Sequence, residues 1–307
     1  MRNPEERNLP RMITPLSMPV YDRDSALQFP LKAPELQRFV RAALDEDRAF
    51  DDITTIATVV SDRRARATFV ARAGGTLAGM ALALEAFRVL DPKVAIRIDR
   101  EDGWRVAAGD PLFFVTGHAR GLLGAERVAL NFMQRLSGIA TLTARFVDVV
   151  EGTGVRIMDT RKTTPGWRVL EKYAVRAGGG FNHRMDLASA VLIKDNHLAA
   201  CDGDVALAVK RAREMAPVGM QVEVECETPE QVRAAVDAGA HVVLLDNMTT
   251  ERVRESVRIA RGRAKTEASG GVTLATVRAI AETGVDWISV GALTHSPPAL
   301  DLALDID

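Results

Sequence analysis

Apolar positions along this chain change their rhythm near residue 150, and the elements they predict change with them. From Pro34, the residues Leu36, Phe39, Val40, Ala43 and Leu44 recur at intervals of three and four, which predicts a helix. Asp51-Asp52-Ile53-Thr54-Thr55 interrupts it with capping and turn residues. Residues 65–71 and 75–79 read as strands, 80–90 as a helix stopped by Asp91-Pro92, and 94–98 and 111–116 as further strands. Helices are predicted over 122–136 and 139–150, with Ser137-Gly138 as the break between them. This half is α+β, with mostly antiparallel signals. After Gly152-Thr153-Gly154, short apolar runs at 155–158, 190–193, 222–224, 242–245, 264–268 and 287–290 alternate with helical patterns. Those patterns lie at 167–177, 205–215, 229–238, 250–260 and 273–282. Continuous apolar strands with helical crossovers imply a parallel sheet covered on both faces. Six or seven such units without a GxGxxG fit a closed or nearly closed β/α barrel better than a dinucleotide fold.

Composition narrows the partners. The 307 residues carry 40 Lys and Arg against 41 Asp and Glu, a net charge of −1, which speaks against nucleic acid or anionic membrane held by bulk charge. Aromatic residues make up 5 %, too few for a single-strand stacking platform. No apolar stretch is long enough to span a bilayer, and Met1 to Pro19 lacks the apolar core of a signal peptide. Cys201 and Cys226 form no CxxC and read as thiols in a reducing compartment, so the expected location is cytoplasmic. Residues 1–33, with Pro4, Pro10, Pro15, Pro19 and Pro30, read as a mobile or loosely packed extension.

Against that neutral background, residues 155–197 hold eight Lys and Arg and four acids. Arg161-Lys162 follows one predicted strand, His183-Arg184 follows three glycines, and Lys194 ends another apolar run. Glu225 and Asp246 stand at the ends of two later strands, and Ser269-Gly270-Gly271 and Gly291-Ala292 follow the last two. Barrels place their active sites at strand C-termini and commonly bind a phosphate after the last two strands. A cationic cup rimmed by two carboxylates suits a small polyanion. Each feature also has an ordinary reading: Arg161-Lys162 as a helix-start loop, His183-Arg184 as a surface turn, Lys194 as the ion-pair partner of a nearby acid, Arg127 as a solvated helix residue. His118, His197 and His241 are scattered and read as ordinary histidines, without the spacing of a zinc site.

The string Asp159-Thr-Arg-Lys-Thr-Thr-Pro-Gly-Trp-Arg, followed by Leu170-Glu-Lys-Tyr-Ala-Val-Arg-Ala-Gly-Gly-Gly-Phe-Asn-His-Arg, closely resembles quinolinate phosphoribosyltransferases. Ile193-Lys-Asp-Asn-His, Val222-Glu-Val-Glu-Cys-Glu, Leu244-Leu-Asp-Asn, Ala268-Ser-Gly-Gly and Ser289-Val-Gly-Ala continue the match in order. The resemblance covers roughly 35–307; it departs at Asp51-Asp52, where the family usually has Gly-Asp. It implies an incomplete or irregular β/α barrel over 138–295, an N-terminal α+β open-faced sandwich over 34–137, and 296–307 joining that sandwich. It implies transfer of phosphoribose from 5-phosphoribosyl-1-pyrophosphate to quinolinate, with loss of carbon dioxide and pyrophosphate, in NAD biosynthesis. Arg161, Lys162, His183, Arg184 and Lys194 would bind the dicarboxylate, with Lys162 and Lys194 also catalytic. Glu225 and Asp246, also catalytic and substrate-binding, would hold Mg²⁺, Glu225 being chosen over Glu223 and Glu227 from the family pattern alone. Ser269, Gly270, Gly271, Gly291, Ala292 and His295 would line the phosphate. Arg127 would reach into a neighbouring subunit's site, which implies a homodimer. Rival readings are a related phosphoribosyltransferase for another acid or base, a Schiff-base aldolase barrel using Lys194, and a silent anion-binding scaffold.

Overall fold

The computed structural model describes residues 27–306. The expected loose extension falls mostly on residues 1–26, outside the described residues. Its last part is packed rather than loose. Leu27, Phe29 and Leu31 lean on the core, and Phe29 sets its ring edge on Tyr173 at 5.2 Å.

The N-terminal part runs through α1 (Ala33–Glu46), α2 (Ile53–Thr58), β1 (Arg64–Ala71), β2 (Gly75–Thr76), α3 (Met80–Leu90), β3 (Ala95–Ile98), β4 (Arg105–Val106), β5 (Pro111–His118) and α4 (Ala119–Val149). The strand expected over 75–79 is only two residues long; Leu77 and Ala78 turn inward and lead into α3. Asp52 starts α2 by accepting the Thr55 backbone N–H, so the Asp51-Asp52 departure still supplies a cap. The sheet order is β12-β1-β5-β3, all antiparallel, with β12 (Leu302–Ile306) arriving from the end of the chain. Phe69 and Phe113 face each other directly across β1 and β5 and stack at 4.6 Å, and Phe87 of α3 closes on them edge-on. On the opposite face, Arg97 and Arg66 lie over the Phe114 ring, so this face is dressed with charge.

The second part contains β6 (Arg156–Met158), α5 (Arg168–Ala177), β7 (Val191–Ile193), α6 (Asp195–Ala199), α7 (Val205–Met215), β8 (Val222–Cys226), α8 (Pro229–Asp237), β9 (Val242–Asp246), α9 (Thr250–Ala260), β10 (Lys265–Ser269), α10 (Val277–Ala281), β11 (Trp287–Ser289) and α11 (Ala292–His295). Its six strands are parallel in the order β6-β11-β10-β9-β8-β7. One further parallel bridge, Met158 to Phe181, extends the sheet past β6, and no pairing among the described residues joins Phe181 to β7. The barrel is incomplete at that seam. The helix expected over 273–282 is shorter, because Thr273 and Thr276 satisfy each other in a turn that precedes α10.

Ser137-Gly138 does not break a helix. Both lie inside α4, whose 31 residues run from one part of the molecule into the other. Ser137 is fully buried and exchanges hydrogen bonds with Ala78, accepting its N–H and donating to its carbonyl. A Cβ on Gly138 would stand 2.2 Å from the Pro298 carbonyl oxygen. The two small residues let other backbone segments touch the helix. Sequence alone reads such residues as punctuation, since the segments they admit are far away along the chain. Among the described residues, no helix is long and apolar enough to cross a membrane.

Candidate active site

Strand pairing places Leu192, Glu225, Leu244, Asp246, Glu267, Ser269 and Ser289 around one opening at the C-terminal end of the sheet. A cavity of about 560 Å³ lies there, a size suited to small-molecule ligands. Ten of the residues singled out from sequence line it: Arg161, Lys162, His183, Arg184, Lys194, Glu225, Asp246, Ser269, Gly270 and Gly271. Four do not. Gly291 packs between Lys162 and His295, since a Cβ built there would lie 3.1 Å from Lys162 Cδ and 3.3 Å from the His295 ring, and Ala292 begins the short helix that carries His295. Arg127 is exposed on α4, and no hydrogen bond or ion pair joins its side chain to another described residue.

The cations are held from below. Asp159, at the end of β6, is fully buried and accepts hydrogen bonds from Lys172 Nζ, Asn182 Nδ2 and the His183 backbone N–H. Lys172 Nζ also donates to the His183 carbonyl at 2.9 Å. This knot fixes the segment carrying His183-Arg184 against the loop after β6 that leads to Arg161-Lys162. Glu171, also fully buried, accepts from the Thr164 N–H and hydroxyl and from Arg135 of α4, while Arg135 reaches the Thr294 carbonyl at 2.6 Å. The loop after β6 is thereby tied to α4 and α11. Neither network was read from the sequence. Glu171 lies beside the face of Leu170 and Ala174 while Lys172 points elsewhere, yet α5 is buried all round from Leu170 to Val175, where each charge demands a partner.

The triple glycine before His183 answers to packing. A Cβ on Gly178 would lie 2.3 Å from the Ala140 carbonyl oxygen, and one on Gly180 would meet Thr143 and Val175. These glycines bring the turn onto α4, not the backbone onto a ligand.

Arg184 is buried, and its Nη1 donates to the Ala190 carbonyl at 3.0 Å. Burial, then the nearby Arg161 guanidinium, lowers its pKa from the usual arginine value. Arg161 Nε is buried without a partner. Two guanidinium groups that repel each other, one with an idle donor, make a site that gains from an anion. Opposite them, Lys194 Nζ bonds Glu225 at 3.1 Å, so the lysine is the ion-pair partner of a nearby acid. A Schiff-base lysine needs a free amine among apolar side chains, which this geometry does not offer. Asp246 is braced by the Asn247 amide at 2.6 Å. Asn247 adopts a left-handed conformation, and a Cβ on Gly270 would strike its Oδ1 at 2.2 Å. Gly270 itself has φ +94°, so glycine is required there on both counts.

His183 differs from the sequence expectation. It touches the cavity, but both ring nitrogens are spent on protein: Nδ1 accepts the Arg184 backbone N–H at 2.7 Å, and Nε2 faces Glu223 at 3.1 Å and Glu267 at 3.6 Å. It orients the backbone of Arg184 and has no nitrogen left for a substrate. Glu223 thus bridges to the histidine, while Glu267, buried on β10 and facing the cavity, was missed. Its clue was period-two alternation with Ser269. His118, His197 and His241 have local partners: Asp91, the Lys194 N–H and the Val222 N–H.

Glu225 and Asp246 both present carboxylate oxygens to the cavity, hard donors that fit Mg²⁺ with further oxygens from a ligand. Among the described residues, His183, Glu223 and Glu267 form one more group whose ligand atoms lie within 4.8 Å of one another.

Known proteins are similar to this chain along most of its length. A family model described as quinolinate phosphoribosyl transferase, N-terminal domain, matches residues 52–137, and its C-terminal counterpart matches 139–305. The carboxylating nicotinate-nucleotide pyrophosphorylase of Mycobacterium leprae is 45 % identical over 275 residues, covering 87 % of this chain and 95 % of its own length. A mitochondrial decarboxylating quinolinate phosphoribosyltransferase 2b of Nicotiana tabacum is 39 % identical over 321 residues, 97 % of this chain and 91 % of its own. The solved nicotinate-nucleotide pyrophosphorylase of Francisella tularensis superposes with a TM-score of 0.85 at 39 % identity, covering 91 % of this chain and 98 % of that one. The fold, the order of the motifs and the family matches agree, and the chain belongs to the quinolinate phosphoribosyl transferase family.

Proposed function

We propose that this protein transfers the phosphoribosyl group of 5-phosphoribosyl-1-pyrophosphate to the ring nitrogen of quinolinate. Pyrophosphate leaves the sugar, the carboxyl beside the ring nitrogen leaves as carbon dioxide, and the product is nicotinate mononucleotide, an NAD precursor. One observation carries the reading: Arg161, Arg184 and Lys194, brought from three segments, line one cavity together with Glu225, Asp246 and the Ser269-Gly270-Gly271 turn. Planar guanidinium forks match the two carboxylates of a pyridine dicarboxylate. Lys162, which lines the cavity and packs against Gly291, would serve both the cup and the phosphate. Catalysis is then positioning and electrostatics: the cations aim the ring nitrogen at the anomeric carbon, and the carboxylates favour positive charge developing on the sugar. Once alkylated, the ring is a pyridinium that accepts the electron pair of the departing carboxylate, so no dedicated base is needed. Glu225 and Asp246 would hold Mg²⁺, which supplies charge neutralisation for pyrophosphate.

The site is completed, in this reading, by a second copy. Arg127 does not line its own cavity, and Phe50, Ile53 and Ile56 are exposed around α2, which Arg120 of the same helix α4 anchors through the Ile56 and Val59 carbonyls. A homodimer covering those apolar residues would bring the partner's arginine to the cup. The free thiols Cys201 and Cys226 fit a reducing, cytoplasmic setting.

The test is carbon dioxide release from quinolinate, with nicotinate as control. Arg161→Ala should lower kcat/KM about 100-fold, since a bidentate pair of charge-assisted hydrogen bonds contributes roughly 3 kcal/mol. Its thermal midpoint should stay close to wild type, because Arg161 Nε has no protein partner to lose. Retained turnover rejects the assignment. Mixing inactive Arg127→Ala with inactive Arg161→Ala should restore about a quarter of the sites if the arginine crosses between subunits.

A further inference from the structure

Two lysines line the cavity, and they are held differently. Lys194 is paired with Glu225, whereas no hydrogen bond or ion pair joins the Lys162 ammonium to another described residue. Lys162 is exposed, and a lysine stem left to itself samples many rotamers. The chain that follows gives it little support: Thr164, Pro165 and Gly166 are exposed, and Gly166 turns with φ +81°.

The support comes from the far end of the barrel sequence. A Cβ on Gly291 would lie 3.1 Å from Lys162 Cδ, so the missing side chain lets the lysine stem lie close to the start of α11. Thr294, one turn further on, is fully buried and donates its hydroxyl to the Lys162 carbonyl at 2.7 Å. The same hydroxyl lies 3.3 Å from the Gly291 carbonyl, the local contact open to any helical threonine. A hydroxyl has one proton, and the nearer acceptor is Lys162. On the other side, the Lys162 backbone N–H donates to the Thr160 hydroxyl at 3.0 Å. Backbone and stem are both gripped.

α11 is itself pinned. Arg135 Nη2 donates to the Thr294 carbonyl at 2.6 Å and to Glu171 at 2.7 Å, while Glu171 accepts the Thr164 N–H at 3.0 Å. One guanidinium nitrogen thus ties α11 to the residue two places after Lys162. A buried ion pair is weak evidence for stability, since apolar side chains of the same shape often serve as well. What this one supplies is a fixed spacing between α11 and the loop.

Resting on the reading of the cavity as the quinolinate site, we propose that Thr294 is a positioning residue that acts through Lys162. Its hydroxyl holds the lysine backbone while Gly291 receives the stem, and the ammonium is delivered to the substrate without a search over rotamers. Thr294 touches no substrate, and no bond forms or breaks at it.

Two near-isosteric changes separate the hydroxyl from the packing. Thr294→Val keeps the shape and removes the donor; Thr294→Ser keeps the donor and removes a methyl. Calorimetric affinity for quinolinate and carbon dioxide release are both measured on the full-length protein. Lys162→Ala should weaken quinolinate binding roughly 10–100-fold, the range of a charge-assisted hydrogen bond, and Thr294→Val roughly three- to tenfold. Thr294→Ser should bind and turn over within about twofold of wild type. Added to Lys162→Ala, Thr294→Val should change affinity by less than about twofold, because no ammonium is left to place. Equal losses in the two backgrounds would overturn the proposal and reduce Thr294 to a packing residue. A valine variant that binds like wild type would also overturn it, as would a serine variant as weak as the valine one; each leaves the function standing. Wild-type protein that neither binds quinolinate nor releases carbon dioxide sinks both readings.

Discussion

Around Phe69, Phe87 and Phe113 the N-terminal sheet is sealed by aromatic rings, and Leu82, Leu112 and Leu122 fill what they leave. Beneath the barrel's cavity the interior instead holds Asp159, Glu171, Lys172, Glu223 and Glu267, each no more than 5 % exposed. The first core is held by area and shape, which act between any apolar neighbours. The second is held by named partners, each of which is costly to leave alone. Most barrels of this kind fill their interior with branched apolar residues. Placing charges there sacrifices some packing and gains a floor on which the cations of the cup are aligned.

The largest expected effect comes from removing one partner in the polar interior. Lys172→Met should cost about 3–5 kcal/mol, because it strands the Asp159 carboxylate and unties the His183 carbonyl. Urea unfolding measures the loss, and a raised KM for quinolinate in the surviving folded fraction shows that the knot aligns Arg184. Combining it with Asp159→Leu should recover part of the stability and none of the KM. At the seam between the two regions, Gly138→Ala should cost about 1–3 kcal/mol, although alanine normally favours a helix, since its methyl would meet Pro298 and Ala299. In the aromatic core, Phe113→Leu should cost about 1–2 kcal/mol and leave kcat and KM within twofold. A comparable fall in activity there would erase the distinction drawn between the two interiors.

The parallel architecture was legible because apolar runs and helical periods alternate plainly after residue 154, and β6 to β11 fall on the predicted runs within a residue or two. The rim of the site was legible for a related reason. Residues such as Arg161, Glu225 and Asp246 sit at strand ends, where position along the chain already fixes position in space. Burial was not legible. Glu267 and Lys172 look like ordinary surface charges in sequence, and only the folded chain makes them neighbours of His183, Glu223 and Asp159. Ser137 and Gly138 were misread as turn residues, because their smallness answers to Ala78 and Pro298, more than fifty residues away along the chain.

A final comparison sets like chemistry in unlike surroundings. Arg72 and Asp305 pair at 2.6 Å across β1 and β12, and both side chains are about half exposed, at 50 % and 52 %. The barrel's Lys172–Asp159 pair is nearly unexposed. Water screens the first pair and is absent from the second, so the same opposite charges should differ several-fold in effect. Arg72→Ala should change stability by less than about 1 kcal/mol. That small loss should shrink further in 1 M salt, where the screening length falls to about 3 Å. The cost of Lys172→Met should be nearly the same in low and high salt, because mobile ions cannot reach a stranded carboxylate in a closed interior. Unfolding both variants across a salt series decides the matter. If the Lys172 deficit faded with salt as the Arg72 deficit does, the barrel floor would be wet, and its charges would owe their alignment to solvent instead of to one another.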